Sequence, residues 1–182
     1  MDREATAWLA ELPGVSPELE TIRMRLLRLG RQMDRMLEAI ARRHRMTLGD
    51  WETLSVLRRS GRPYASSPGK LAKVLQVTSG TMSVRLDRLQ RAGLIEQVVT
   101  VGDARSRPVR LTSAGQRRWR TATAERTALE RRLLSRALAG RAGLFNSLLR
   151  RVMISFESEF GPAPRRGLTS GEPSPRRGRV FD

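Results

Sequence analysis

The segment Val77-Thr78-Ser79-Gly80-Thr81-Met82-Ser83-Val84-Arg85-Leu86-Asp87-Arg88-Leu89, continued by Gln90-Arg91-Ala92-Gly93-Leu94-Ile95, decides how this chain is read. Val77 to Gly80 is a tight turn that leads into a helix. Met82, Leu86 and Leu89 recur at helical spacing and face inward, and Gly93 ends the helix. The other face offers Ser79, Gly80, Thr81, Ser83, Val84, Arg85 and Arg88. A helix of this size fits the DNA major groove with its N-terminal residues at the base edges. Small side chains there let the backbone approach phosphates. Thr81 and Val84 suit a thymine methyl, and an arginine suits guanine.

Outward from this helix the pattern continues on both sides. Thr47-Leu48-Gly49-Asp50 is a capping-box variant that opens a helix with Trp51, Leu54 and Leu57 on its apolar face. Ser67-Pro68 caps a short helix with Leu71, Val74 and Leu75 inside. After Gly93 the period changes to two. Leu94–Val101 and Val109–Leu111 read as strands around the polar turn Gly102–Pro108, a β-hairpin with a basic tip. Arg105 and Arg107 on that tip suit the negative potential of a minor groove. Asp103 beside Arg105 makes sense as a carboxylate that orients the guanidinium. Helix, helix, short helix, turn, helix and hairpin together make a winged helix-turn-helix. The expected fold is mainly α with a small β-hairpin wing.

Long helices flank this unit. The first starts at Ser16-Pro17, with Glu18 and Glu20 at its positive end. Leu19, Ile22, Leu26, Leu29, Met33, Met36 and Ile40 alternate at spacings of three and four, a heptad seam. A seam on a helix of about 28 residues points to a second long helix, and to a subunit interface rather than an internal core. Thr112 caps a further helix carrying Trp119, Leu129, Leu133 and Leu134, and Gly140 and Gly143 break the pattern. A last helix carries Phe145, Leu149, Val152, Phe156 and Phe160. His44, near the end of the first helix, reads as a residue interacting with the helix dipole.

Composition agrees. The chain has 182 residues with 35 Lys plus Arg against 18 Asp plus Glu, a net charge of +17. Only Lys70 and Lys73 are lysines. Residues 1–20 sum to −4 and residues 161–182 to +3, so the excess sits in the body of the chain. Such an excess calls for a polyanion, with nucleic acid first. No cysteine and one histidine exclude thiol catalysis, disulfides and a histidine zinc cluster. Ser67-Pro68-Gly69-Lys70 lacks the glycine and the Ser/Thr of a phosphate loop. Asp50 and Glu52 lie two apart on a helix and point to different sides, so they are no catalytic pair. No enzyme activity, metal or cofactor is expected. No stretch reaches the roughly 20 apolar residues of a membrane span, and Met1-Asp2-Arg3-Glu4 does not open a signal peptide. The expected location is the cytoplasm, on the nucleoid. Residues 161–182, rich in Arg, Pro and Gly, read as a disordered tail and residues 1–16 as an arm.

At this point the residues resemble a known family. Thr78 to Leu89 with Ala92-Gly93-Leu94-Ile95 is similar to the recognition helix of the MarR family of bacterial transcriptional regulators. Gly102-Asp103-Ala104-Arg105, then Val109-Arg110-Leu111-Thr112-Ser113-Ala114-Gly115, resembles that family's wing and the start of its dimerisation helix. The likeness spans about residues 17–160, with the winged helix at about 47–115 and dimerisation helices at about 17–45 and 113–160. Ala104 stands where the family often has a basic residue, and Arg107 offers one further along. The resemblance implies a sequence-specific regulator, a ligand-relieved repressor that binds a palindromic operator as a homodimer. It places Leu19, Ile22, Leu26, Leu29, Phe145, Leu149, Val152 and Phe156 in the dimer interface. Leu57 to Tyr64, with Ser79 to Met82, further resembles the urate-responsive branch. That implies an effector site at Trp8, Glu52 and Arg85, for a small anionic aromatic or carboxylate. Glu52 replaces the branch's aspartate, and Gln97 stands where the branch has another arginine. The rival reading is a basic architectural protein that binds DNA or RNA without sequence preference. A winged helix used only for protein contacts would not need arginines on the hairpin.

Overall fold

The computed structural model describes residues 14, 16–98 and 107–162. Trp8, most of the N-terminal arm, Asp103, Arg105 and the residues from 163 on lie outside the described residues. Residues up to Ile40 form one compact unit and those from Ala41 a second.

The first unit is carried by helix α1, Pro17–Arg43. Pro17 takes the first helical position, and Ser16 Oγ accepts a hydrogen bond from the Leu19 amide at 3.4 Å. Glu20 in the first turn pairs with Arg23 one turn on. Along the heptad seam Leu19, Ile22, Leu26, Leu29 and Met33 are exposed, whereas Leu37 and Ile40 are buried.

The second unit opens at the end of α1, where the chain reverses through Arg45. The Met46 amide bonds the Ala41 carbonyl at 2.9 Å, and the Arg45 amide bonds that of Arg42 at 2.9 Å. Arg45 has φ +53°, a left-handed position where a side chain costs about 1 kcal/mol. Helix α2, Leu48–Arg59, starts on a complete capping box: Thr47 Oγ1 accepts from the Asp50 amide and the Asp50 carboxylate accepts from the Thr47 amide. Trp51, Leu54 and Leu57 are fully buried, as their spacing predicts. Strand β1, Ala65–Ser66, follows.

Helix α3, Pro68–Leu75, is capped by Ser67. Leu71 and Leu75 are buried, but Val74, expected inside, is 44% exposed. Ala72 takes the inner position instead, because a helix of two turns has room for one narrow buried stripe. Helix α4, Ser79–Arg91, is capped by Thr78. It buries Met82, Leu86 and Leu89, each 7% exposed or less.

Gly93 at φ +66° turns the chain into β2, Ile95–Gln97, which pairs antiparallel with β3, Val109–Leu111. The sequence led to expect a two-stranded hairpin; the sheet has three strands in the order β1-β3-β2. Ala65 pairs with Arg110 and Ser66 with Val109. Two residues carry no periodicity, so β1 left no signal of its own.

Helix α5, Ser113–Leu138, is capped by Thr112, whose hydroxyl accepts from the Gly115 amide at 3.0 Å and donates to the Gly93 carbonyl at 2.7 Å. A Cβ on Gly115 would stand 2.0 Å from the Leu94 carbonyl oxygen, so only glycine lets the helix start so close to the wing. The first half of α5 seats on α2. Trp119 Nε1 donates to Ser55 Oγ at 2.9 Å, and Trp51 Nε1 reaches Thr123 Oγ1 at 3.4 Å. Glu125 pairs with Arg43 at 2.5 Å and with His44 Nε2 at 2.7 Å. His44 is thus engaged by a side chain of α5 as well as lying near the end of α1. Further on, Leu133 and Leu134 are exposed. The chain turns at Ala139-Gly140 into α6, Ala142–Phe160, in which no residue is buried. Gly143, expected to break the pattern, lies inside α6.

Candidate nucleic-acid interface

The N-terminal turn and one face of α4 stand free. Thr78 Oγ1 accepts from the Thr81 amide at 3.2 Å and meets the Thr81 hydroxyl at 2.9 Å, so the first turn is rigid. Ser79, Gly80, Thr81 and Ser83 are exposed. A Cβ on Gly80 would meet nothing within 4 Å. The fold therefore makes no demand for glycine there, and the missing side chain leaves space on the outside. Val84 is 59% exposed although it lies on a helix whose other large apolar residues are buried.

Arg85 and Arg88, read as part of the outward face, turn back onto α2. Arg88 Nε approaches Asp50 Oδ1 at 3.1 Å and Oδ2 at 2.9 Å, while its Nη2 donates to Oδ1 at 2.7 Å and to Thr47 Oγ1 at 3.2 Å. Asp50 keeps only 3% of its side chain exposed. Its hydrogen bonds hold the Arg88 pKa above the usual arginine value. A buried carboxylate needs such a partner. Arg85 Nη1 lies 3.4 Å from the Gly49 carbonyl and 3.6 Å from Glu52 Oε2. A Cβ on Gly49 would come within 2.5 Å of the Arg85 guanidinium, so glycine at 49 makes the space in which it lies. The two arginines, one turn apart on α4, thus meet the two acids of α2 separately. Of the trio Trp8, Glu52 and Arg85, the structure brings Glu52 and Arg85 together.

On the wing side Arg107 is exposed with φ +28°. Arg110 of β3 pairs with Glu96 across the sheet at 2.7 Å. Arg58, at the end of α2, stacks over Tyr64 at 4.3 Å from the ring centre and over Trp119 at 5.6 Å. Arg58, and after it Arg62, hold the Tyr64 hydroxyl below its ordinary pKa. Lys70 and Lys73 are exposed on α3, the helix before the recognition segment.

The apolar seam residues divide in the same way. Leu19, Ile22, Leu26 and Leu29 of α1 are exposed, Val152 and Phe156 of α6 are 40% and 63% exposed, and Phe145 and Leu149 are half-buried. Among the described residues no helix is long and apolar enough to cross a membrane.

These elements, in this order and with this sheet, make a winged helix-turn-helix flanked by long helices. Residues 44–106, from just after α1 into the segment between β2 and β3, match the MarR family. The chain is 32% identical over 108 residues to the HTH-type transcriptional regulator PecS of Dickeya dadantii, covering 59% of this chain and 65% of that protein. It thus spans 65%, less than two thirds, of the length of that curated relative. Among solved structures it is similar to wild-type MarR from E. coli, with a TM-score of 0.60 at 25% identity over 71% of this chain and 94% of that one. A MepR variant from S. aureus bound to an oligodeoxyribonucleotide superposes with a TM-score of 0.58 at 23% identity, over 74% of this chain and 97% of that one.

Proposed function

We propose that this chain is a sequence-specific DNA-binding transcriptional regulator that acts in the cytoplasm as a homodimer on a palindromic operator. The observation that carries this reading is the division of α4. Its inner face is locked by Met82, Leu86, Leu89 and the pairs to Asp50 and Glu52. Its first turn and Ser83-Val84 stay free, with an apolar side chain 59% exposed among small polar ones. Such a face suits base edges and thymine methyls. Asp103, Arg105 and Arg107 of the wing supply the neighbouring minor-groove contact, and Lys70 and Lys73 add charge for the backbone. The exposed seams of α1 and α6 supply the surface by which two copies join. PecS, by its name a transcriptional regulator, and the DNA-bound MepR variant support the same reading.

Repression is relieved when a small anionic aromatic or carboxylate reaches Arg85. Arg85 lies beside Glu52, and an anion that competes for its guanidinium moves α4 against α2. A coupling of about 1–3 kcal/mol gives a 5- to 150-fold response.

The test compares duplexes carrying an inverted repeat with scrambled duplexes of the same length, at several salt concentrations. The regulator reading expects binding to fall by about 0.9 in log–log slope for each phosphate neutralised, with preference for the repeat retained. Equal affinity for both duplexes favours the architectural reading instead.

A further inference from the structure

Helix α5 carries charge that the fold itself does not use. Seven arginines and two glutamates lie on it. Glu125 is taken by Arg43 and His44, Glu130 pairs with Arg126 at 3.5 Å, and Arg118 donates to the His44 carbonyl at 2.9 Å. Arg117, Arg120, Arg131, Arg132 and Arg136 are exposed, and their side chains make no hydrogen bond or ion pair to the described residues. Arg136, in the last turn, suits the negative end of the helix. The other four have no such local use.

Their placement is regular. Arg117, Arg120, Ala124, Ala128, Arg131 and Ser135 recur at spacings of three and four and are all exposed, so they share one face, with Arg132 at its border. Trp119, Ala122, Leu129 and Leu133 share the other side, where Ala122 is fully buried and Trp119 bonds Ser55 of α2. Burial of that apolar side, within the chain or against a second copy, leaves the arginines outside. Like charges one turn apart repel, and both glutamates of α5 are engaged elsewhere. An extended polyanion relieves that repulsion, and the small residues between the arginines let it lie close. From Arg117 to Arg131 the face runs about 21 Å. Over that length a duplex presents about a dozen phosphates.

We propose that this face of α5 is a second, sequence-blind surface for the phosphate backbone of double-stranded DNA. Arginines among small residues suit phosphates rather than base edges. An anionic membrane would call for large apolar side chains beside the arginines, and this face has none. The surface addresses phosphates other than those beside the first turn of α4. That turn, at Ser79–Thr81, opens the helix, whereas α5 starts against its far end, where Thr112 Oγ1 donates to the Gly93 carbonyl at 2.7 Å. Helix α4 has 13 residues, so about 20 Å separate the two. A chain engaged through α4 thus holds a second duplex segment on α5 and joins the two. That α4 reads an operator rests on the regulator reading; the grip of α5 on phosphates does not.

The experiment uses the 182-residue chain, a short scrambled duplex tethered to beads, and the same duplex labelled and free in solution. Protein held on the beads is expected to retain the labelled duplex. Arg117→Gln, Arg120→Gln and Arg131→Gln together should cut that retention at least about tenfold and lower the salt slope of duplex binding by about 0.9 for each phosphate released. Arg141→Gln, Arg150→Gln and Arg151→Gln together remove the same charge from exposed arginines outside α5, and should leave retention within about twofold of the parent. Unchanged retention and slope in the α5 variant overturn the surface. So does an equal loss in both variants, which makes net charge the cause. Preference for an inverted repeat over the scrambled duplex is measured in all three proteins. The expected result is preference kept in the α5 variant while retention falls. Retention that falls with no preference in any protein keeps the surface and overturns the regulator reading. Preference lost together with retention in the α5 variant shows one surface instead of two and overturns the proposal.

Discussion

Helices α4 and α6 are both amphipathic, and they meet opposite fates. Met82, Leu86 and Leu89 of α4 are sealed within the chain, so the winged lobe satisfies its own core. In α6 no side chain is buried, and Leu144, Leu148, Val152, Met153, Phe156 and Phe160 remain exposed. Burying one such residue is worth about 1.5–3 kcal/mol, so a row of them left in water is a folding problem that one chain does not solve. The contrast separates two kinds of helix: α4 seals its apolar face within one chain, and α6 leaves its own exposed.

Substitutions in the two regions should therefore part cleanly. The largest effect is expected from Gly115→Ala, because its Cβ meets a backbone carbonyl that has nowhere to go. A loss of about 3 kcal/mol or more in denaturant unfolding is predicted, and a variant as stable as the parent would show that α5 does not start where it is seen. Leu148→Glu attacks the other region. It should leave the lobe folded by circular dichroism, while sedimentation shifts to a lower mass and operator affinity drops about 100-fold. An unchanged mass would contradict the assembly side of the comparison.

Arg88→Ala sits on the lobe side. It strips the buried Asp50 of its ionic partner but leaves the Thr47 amide, and a cost of about 2 kcal/mol is expected. If Asp50→Asn together with Arg88→Ala is no less stable than Arg88→Ala alone, the pair acts as described. Val84→Ala should leave the melting temperature in place and alter preference at one base step by about 1 kcal/mol in competition binding.

The smallest effect is titrimetric. Tyr64 is the only tyrosine, so ultraviolet titration reports it alone. Arg58 beside it should make it half-ionised below pH 10, and Arg58→Gln should return it toward the ordinary value. A phenol lowered in the folded state stabilises the fold fully above its unfolded pKa. That contribution is lost as the pH falls through the folded value.

Much of the lobe was legible because its signals are local. Thr47 before Asp50, Ser67 before Pro68, and Thr112 are caps read within four residues; Thr47 accepts from the Asp50 amide, Ser67 from the Lys70 amide and Thr112 from the Gly115 amide. The inward triad Met82, Leu86 and Leu89 is likewise a property of one helix. What escaped depends on distant partners. Arg85 and Arg88 reach acids 33 and 38 residues away in sequence, and a long side chain on a helix edge is directed by what it meets, not by its own spacing. Strand β1 exists only because β3 lies beside it. The heptad of α1 was plain, but its period says only that a partner is needed. Trp8 and the Asp103–Arg105 pair stay as expectations of the sequence.

The most direct test of the account is a selection of bound duplexes from a random pool by the 182-residue chain. The account predicts an inverted repeat whose half-sites lie one helical turn apart, about 34 Å between centres, as two linked α4 helices require. Recovery of unsymmetrical sequences, or of no enriched sequence at all, would contradict it.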